Sequence, residues 1–251
     1  MRLLLNCSIA ATLLVSALHA GAAPRNDNVD FSSGTGGWVG LPQIDGQGSS
    51  IEANGGVGGG AGFRTLNVET WGLNWTNSTN PAFIGDFTQD HSVSFSLDIK
   101  VNNIFSIEDG IEVPRHLMVE LRDYANYAEN GIWTSVWFDL GSISQADGWQ
   151  HLSATIADTG SSALPAGWSY YDGSDATTLP QGVSFSSLLK GVDEIAFSTI
   201  VNGNFYDYRY FDVTVDNIAV TTAVPEPATY ATLGAGLLVV GMMRARRRKN
   251  G

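Results

Sequence analysis

The stretch HSVSFSLDIKV, His91 to Val101, alternates without a break. Val93, Phe95, Leu97, Ile99 and Val101 fall on one side of an extended chain. Ser92, Ser94, Ser96, Asp98 and Lys100 fall on the other. A period of two belongs to a strand with one face buried. The pattern recurs in RHLMVELRD (Arg115 to Asp123), with Leu117, Val119 and Leu121 inward, and in WQHLSATI (Trp149 to Ile156), with Leu152, Ala154 and Ile156 inward. Ile132 to Leu140, IWTSVWFDL, is β-branched and aromatic, and Val192 to Val201 offers Ile195, Phe197 and Thr199. In Tyr208 to Val220 the apolar parity runs through Phe211, Val213 and Val215, then shifts to Ile218 and Val220. A bulge near Asp216 produces such a shift.

Six strands are thus readable, and others are expected near Trp38, Ile51 and Phe63. Only Val183 to Leu189 suggests a short helix, so no strand–helix alternation supports a doubly wound sheet. Each strand has one apolar face to bury, which predicts an all-β, two-sheet antiparallel β-sandwich over residues 28–221, a jelly roll by preference. Asn54 to Phe63, NGGVGGGAGF, lacks the Lys-Ser/Thr ending of a phosphate loop and reads as a flexible turn. Asp158 to Gly182 reads as one long loop.

Both ends of the chain have a different character. Arg2, the mostly apolar run Leu3 to Leu18 and Ala20-Gly21-Ala22 make a signal peptide over residues 1–22, with removal expected after Ala22 or, second choice, Ala20. Cys7, inside that run, is the only cysteine, so the mature body has no disulfide or thiolate metal site. Between Ala23 and Val224 there are 24 acidic and 7 basic residues, a net charge of −17 with histidines neutral. Such a body lacks the clustered Lys and Arg that nucleic acid requires.

The chain closes with VPEPATYATLGAGLLVVGMMRARRRKNG, Val224 to Gly251. Ala228 to Met243 is uncharged, and Arg244, Arg246, Arg247, Arg248 and Lys249 follow. The reading is a hydrophobic transmembrane helix over about 228–243 with the basic cluster on the cytoplasmic side. Pro225-Glu226-Pro227, the apolar run and the Arg-rich end together resemble the PEP-CTERM sorting signal of Gram-negative bacteria. The resemblance implies an exosortase-type processing protease and the export machinery as partners, with cleavage near Pro-Glu-Pro. It also implies transient anchoring by the C-terminal helix and a final place at the cell surface or in the extracellular matrix.

The body resembles laminin-B-like and carbohydrate-binding-module jelly rolls through DFSSGTGGW (Asp30 to Trp38), SFSSLLKGVDEIAFS (Ser184 to Ser198) and VTVDNIAV (Val213 to Val220). That resemblance implies a structural calcium ion where the first and closing strands meet, with Asp216 and Asp30 as ligands and Asp27 or Asn28 as alternative donors. Calcium takes hard oxygen ligands of this kind. Sugar binding needs flat aromatics beside polar donors. Trp71, Trp75, Trp168, Tyr170 and Tyr171 are the candidates, with Tyr124 and Tyr127 beside them. Trp133 and Trp137 share one strand parity and read as core.

Catalytic signatures are lacking. His91, His116 and His151 stand alone without zinc spacing, and no Gly-x-Ser-x-Gly elbow occurs. Glu120 and Asp139 read as ordinary polar-face carboxylates. The expected function is an exported, surface-sorted, non-catalytic sandwich associated with extracellular polysaccharide. The alternatives are a calcium-dependent carbohydrate-binding module and a glycoside hydrolase using an unrecognised carboxylate pair.

Overall fold

The computed structural model describes residues 25–125, 133–172, 178–201 and 207–223. Strands β1 (Asn26–Val29), β2 (Trp38–Val39), β3 (Gly48–Glu52), β4 (Gly62–Thr70), β5 (Asn74–Asn77) and β6 (Ser92–Ser106) come first. Then follow β7 (Arg115–Asp123), β8 (Thr134–Ile143), β9 (Trp149–Ile156), β10 (Trp168–Tyr171), helix α1 (Phe185–Leu189), β11 (Glu194–Ser198) and β12 (Arg209–Ala223). They form two antiparallel sheets, one in the order β3-β4-β12-β6-β9 with β1 also on β12, the other β10-β8-β7-β11-β5-β2. The chain crosses repeatedly between them, as a jelly-roll sandwich does. Pro24–Ala223 is one compact unit.

The period-two pattern is what buries the core. Val93, Phe95, Leu97 and Ile99 of β6 are all but inaccessible, as are Leu117, Val119 and Leu121 of β7. Ile195 and Phe197 of β11 and Phe211, Val213 and Val215 of β12 join them in one cluster. The parity shift in β12 is a bulge: its register against β6 slips between Asp216 and Ala219. Asn217 there takes φ 47°, the left-handed region that Asn tolerates better than most residues.

Three short strands fall outside those the sequence predicted. β1, NDNV, and β5, NWTN, are four-residue strands with three polar residues each, and β10 sits inside the expected 158–182 loop. The glycine-rich turn is also ordered. Gly56 N–H donates to Gly60 O at 2.8 Å, and Val57 N–H donates to Asp216 Oδ2 at 2.8 Å. A Cβ on Gly56 would stand 2.0 Å from Ala61 O, so only glycine fits that close approach.

The body begins and closes at one corner. Arg25 N–H donates to Thr222 Oγ1 at 2.7 Å, and Thr222 N–H donates back to Arg25 O at 2.9 Å. The Arg25 guanidinium bonds the carbonyls of Pro81, Ile84 and Asp86, with Nη1 3.1 Å from Pro81 O and Nη2 2.8 Å from Asp86 O. Asp90 is buried, and its Oδ2 lies 3.3 Å from Arg25 Nε without hydrogen-bond geometry. This contact is therefore an ion pair and not a hydrogen bond.

The expected C-terminal membrane helix is corrected. Among the described residues no helix is long and apolar enough to cross a membrane, and transient anchoring through such a helix falls with it. Sixteen residues rise about 24 Å, short of a hydrocarbon core of about 30 Å. Residues 228–243, the sorting residues Pro225 to Arg248 and the signal segment 1–22 lie outside the described residues.

Candidate functional site

The outward face of the second sheet carries charge where a sandwich surface is ordinarily dilute and solvated. β7 turns Leu117, Val119 and Leu121 inward, so Met118, Glu120 and Arg122 point outward, yet all three are buried. The registers bring their neighbours alongside. Trp137 of β8 lies opposite Glu120 and Ser135 opposite Arg122. Glu194 and Ala196 of β11 lie opposite Arg122 and Glu120 from the other side. β10 adds Ser169 beside Trp137 and Tyr171 beside Ser135.

These groups form one network. Arg122 Nη2 sits 2.7 Å from Glu120 Oε2, and Arg122 Nη1 2.6 Å from Glu194 Oε1. Glu120 Oε1 accepts from Trp133 Nε1 at 3.0 Å and from Ser135 Oγ at 2.6 Å. Tyr124 OH donates to Glu194 Oε1 at 2.9 Å. The Trp133 ring covers the guanidinium at 4.4 Å, and Tyr124 meets that ring edge-on. Burial opposes the charge on Arg122, but Glu120 and Glu194 outweigh it and hold its pKa above the ordinary guanidinium value. Burial and the bond to Glu194 push the Tyr124 phenol up to about 12.

Among the described residues, two polar atoms on this face have no protein partner: Trp137 Nε1, a donor, and Asn74 Oδ1, an acceptor on β5 opposite Ser198. Near the start of β7, His116 Nδ1 and Asp139 Oδ2 of β8 meet at 2.8 Å. Glu120 and Glu194 share the guanidinium between them.

The sequence candidates scatter. Trp75 is in the core, donating Nε1–H to Thr65 Oγ1 at 2.9 Å, and Trp168 and Tyr170 are buried on the inward side. Their rings offer no face to a ligand. Tyr171 is half-buried on the outward face, and Trp71 is exposed against Tyr208. Tyr127 lies outside the described residues. Trp133 and Trp137, read as core, stand outward and half-buried instead, because Val136 and Phe138 of the opposite parity take the inward places. The signal for this site was the pair Glu120 and Arg122 inside a strand, two apart and on one face.

The Asp30 carboxylate acts on Asp216 through its charge. Burial first, then the charges of Asp98 and Asp30, push the Asp216 carboxyl above its ordinary value against two backbone N–H donors, Val57 and Asn217. Asp98 is the cross-strand partner of Asp216 and accepts from Asn217 Nδ2 at 2.7 Å. Asp30 Oδ1 accepts from the Ser32 N–H and hydroxyl, which lower its own pKa. Among the described residues no three His, Cys, Asp or Glu are gathered closely enough to hold a metal ion as they stand.

Residues 223–249 match the PEP-CTERM protein-sorting motif. The motif marks the chain for export and for an exosortase-type processing enzyme. No curated protein matches the chain. Among solved structures, the body is similar to the family 11 carbohydrate-binding module of Clostridium thermocellum in complex with a β-1,3-1,4-mixed-linked tetrasaccharide. Identity is 15%, the TM-score is 0.46, and the match covers 82% of this chain and 100% of that one. It is also similar to the CBM22-1 xylan-binding domain from Paenibacillus barcinonensis, at 12% identity and TM-score 0.44 over 81% of this chain and 99% of that one. A third similar structure is the CBM22-1–GH10 portion of a C. thermocellum endo-1,4-β-D-xylanase complexed with xylohexaose, at 13% identity and TM-score 0.45. That match covers 80% of this chain and spans 29% of the xylanase chain. The likeness is one of strand arrangement and brings no ligand with it.

Proposed function

We propose that the sorting motif delivers this sandwich to the outside of the cell and that the outward face of its second sheet binds extracellular polysaccharide. One observation carries the proposal: Arg122, buried between Glu120 and Glu194 beneath Trp133. Burying three charges costs more than filling the same space with apolar side chains, so stability alone does not favour the arrangement. It does fix aromatic rings and polar atoms in place before a ligand arrives, which favours sugar binding. Trp137 Nε1 and Asn74 Oδ1 supply an unmet donor and acceptor, and sugar hydroxyls reaching that level, directly or through water, satisfy both.

Affinity electrophoresis through gels holding xylan or β-1,3-1,4 mixed-linkage glucan tests this. Retardation that disappears in Trp137→Ala is the expected result. Free migration of the unaltered protein through both gels would remove the proposal.

A second reading rests on the Asp30, Asp98 and Asp216 corner. Among the described residues no lysine or arginine pairs with any of the three, although His151 Nδ1 lies 2.7 Å from Asp98 Oδ1, and Asp98 and Asp216 face one another across two strands. A calcium ion there would draw the side chains together and relieve their repulsion. Melting with added calcium and with chelator tests it: a higher Tm with calcium is expected, and equal temperatures dismiss the ion.

A further inference from the structure

We infer that the ligand face continues along β11 to Trp71 and Tyr208, which form a terminal contact for an extended saccharide chain; this rests on the saccharide reading above. The outward line of β11 runs through Glu194, Ala196 and Ser198. Beyond the strand's end, the Ile200 N–H donates back to Ser198 Oγ at 3.0 Å. Asn74, with its unmet Oδ1, lies opposite Ser198 on the neighbouring strand, and Trp71 stands three residues before it. Gly72 seats this segment on Ile200: a Cβ there would come within 2.6 Å of Ile200 Cγ1.

Trp71 and Tyr208 meet with ring centroids 4.7 Å apart and planes tilted by 55°. They are 44% and 46% exposed, and Ile200 is 40% exposed. These three side chains arrive from the end of β4, the end of β11 and the approach to β12. The face therefore has aromatic rings at both ends, Tyr124 and Trp133 beside Glu194, and Trp71 and Tyr208 beside Ile200. β11 runs five residues from Glu194 to Ser198, a rise of about 13 Å, which is room for more than one sugar ring laid along the strands. Trp137 and Asn74 lie between. Indole and phenol rings stack on the apolar faces of sugars while their polar edges stay solvated.

Isothermal titration with xylo-oligosaccharides and mixed-linkage gluco-oligosaccharides of increasing length tests the inference. The unaltered protein should bind longer oligomers progressively more tightly. Trp71→Ala should weaken binding of the longest oligomer about tenfold and leave the shortest unchanged, and Tyr208→Ala should do the same more weakly. An equal loss at every length, or none at any, overturns the terminal contact while the saccharide reading stands. Failure of the unaltered protein to bind either series overturns both. Melting temperatures of the two variants within a few degrees of the parent show that the exposed rings do not hold the fold.

Discussion

Replacing Arg122 with methionine removes the guanidinium and keeps much of the side chain's length. The guanidinium-bearing chain is 8% exposed, and the Glu120 and Glu194 side chains it joins are 2% and 14% exposed. Without it, two carboxylates remain buried close together with no cation between them. Breaking a buried pair in this way costs about 3 to 5 kcal/mol, and loss of the contact with Trp133 adds about 1 kcal/mol. For a domain of some 200 residues, each kcal/mol lowers Tm by roughly 2 to 4 °C, so a fall on the order of 10 °C is expected. Arg64→Met is the control. Arg64 holds Asp212 through two bonds of 2.8 and 2.7 Å on the first sheet, but its side chain is 36% exposed. Its loss should cost about 1 kcal/mol. Urea denaturation of both variants gives the comparison, and adding Glu120→Gln and Glu194→Gln to Arg122→Met should restore part of the loss. If Arg122→Met loses no more stability than Arg64→Met, the network is not the buried charge cluster argued above.

Gly56→Ala should destabilise by about 3 kcal/mol, because the new methyl meets Ala61 O and Asp216 Oδ2. Gly58→Ala, with open space around it but φ 63°, should cost only about 1 kcal/mol. Asp30→Asn should move the Asp216 carboxyl back towards its ordinary range, read by carboxyl-carbon NMR during an acid titration. Asp216 has its folded pKa raised above the unfolded value of 3.8, so its contribution is full below that value and is lost as pH rises through the folded pKa. Asp30→Asn should therefore raise stability at neutral pH. Tyr124 and Tyr170 are both pushed up to about 12. Their contribution is complete below about pH 10, the pKa of an unfolded tyrosine, and is lost as pH rises towards 12. Denaturation midpoints should accordingly fall across that alkaline window, and less steeply in a Tyr124→Phe, Tyr170→Phe double variant.

The long strands were legible because one face of each is apolar and the other is not: β6 reads almost residue by residue, and the β12 bulge shows in the step from Val215 to Ile218. Short strands were not. β1 and β5 carry Asn at half or more of their positions, and β10 lies among Gly, Pro and Ser, so local composition argued for loop while pairing partners distant in sequence made strand. The site was hidden for a different reason. In IWTSVWFDL both parities are bulky, so periodicity alone does not say which tryptophans face out. VELRD reads as an ordinary polar face because the ion pair that buries Glu120 and Arg122 needs Glu194, which lies 72 residues beyond Arg122. Trp75 and Trp168 misled in the opposite direction: each borders a loop-like segment, and each is fixed inward by its strand register.

The hydrogen bonds between Arg25 and Thr222 mean that the sandwich is closed on itself at one corner. A few flexible residues suffice to splice the two together, and the cut then needed is available at the exposed turn from Ile107 to Ile111, whose Gly110 adopts φ 69°. A circular permutant made this way should keep both sheets intact. It would also detach the aromatic face from any dependence on how the natural ends are processed.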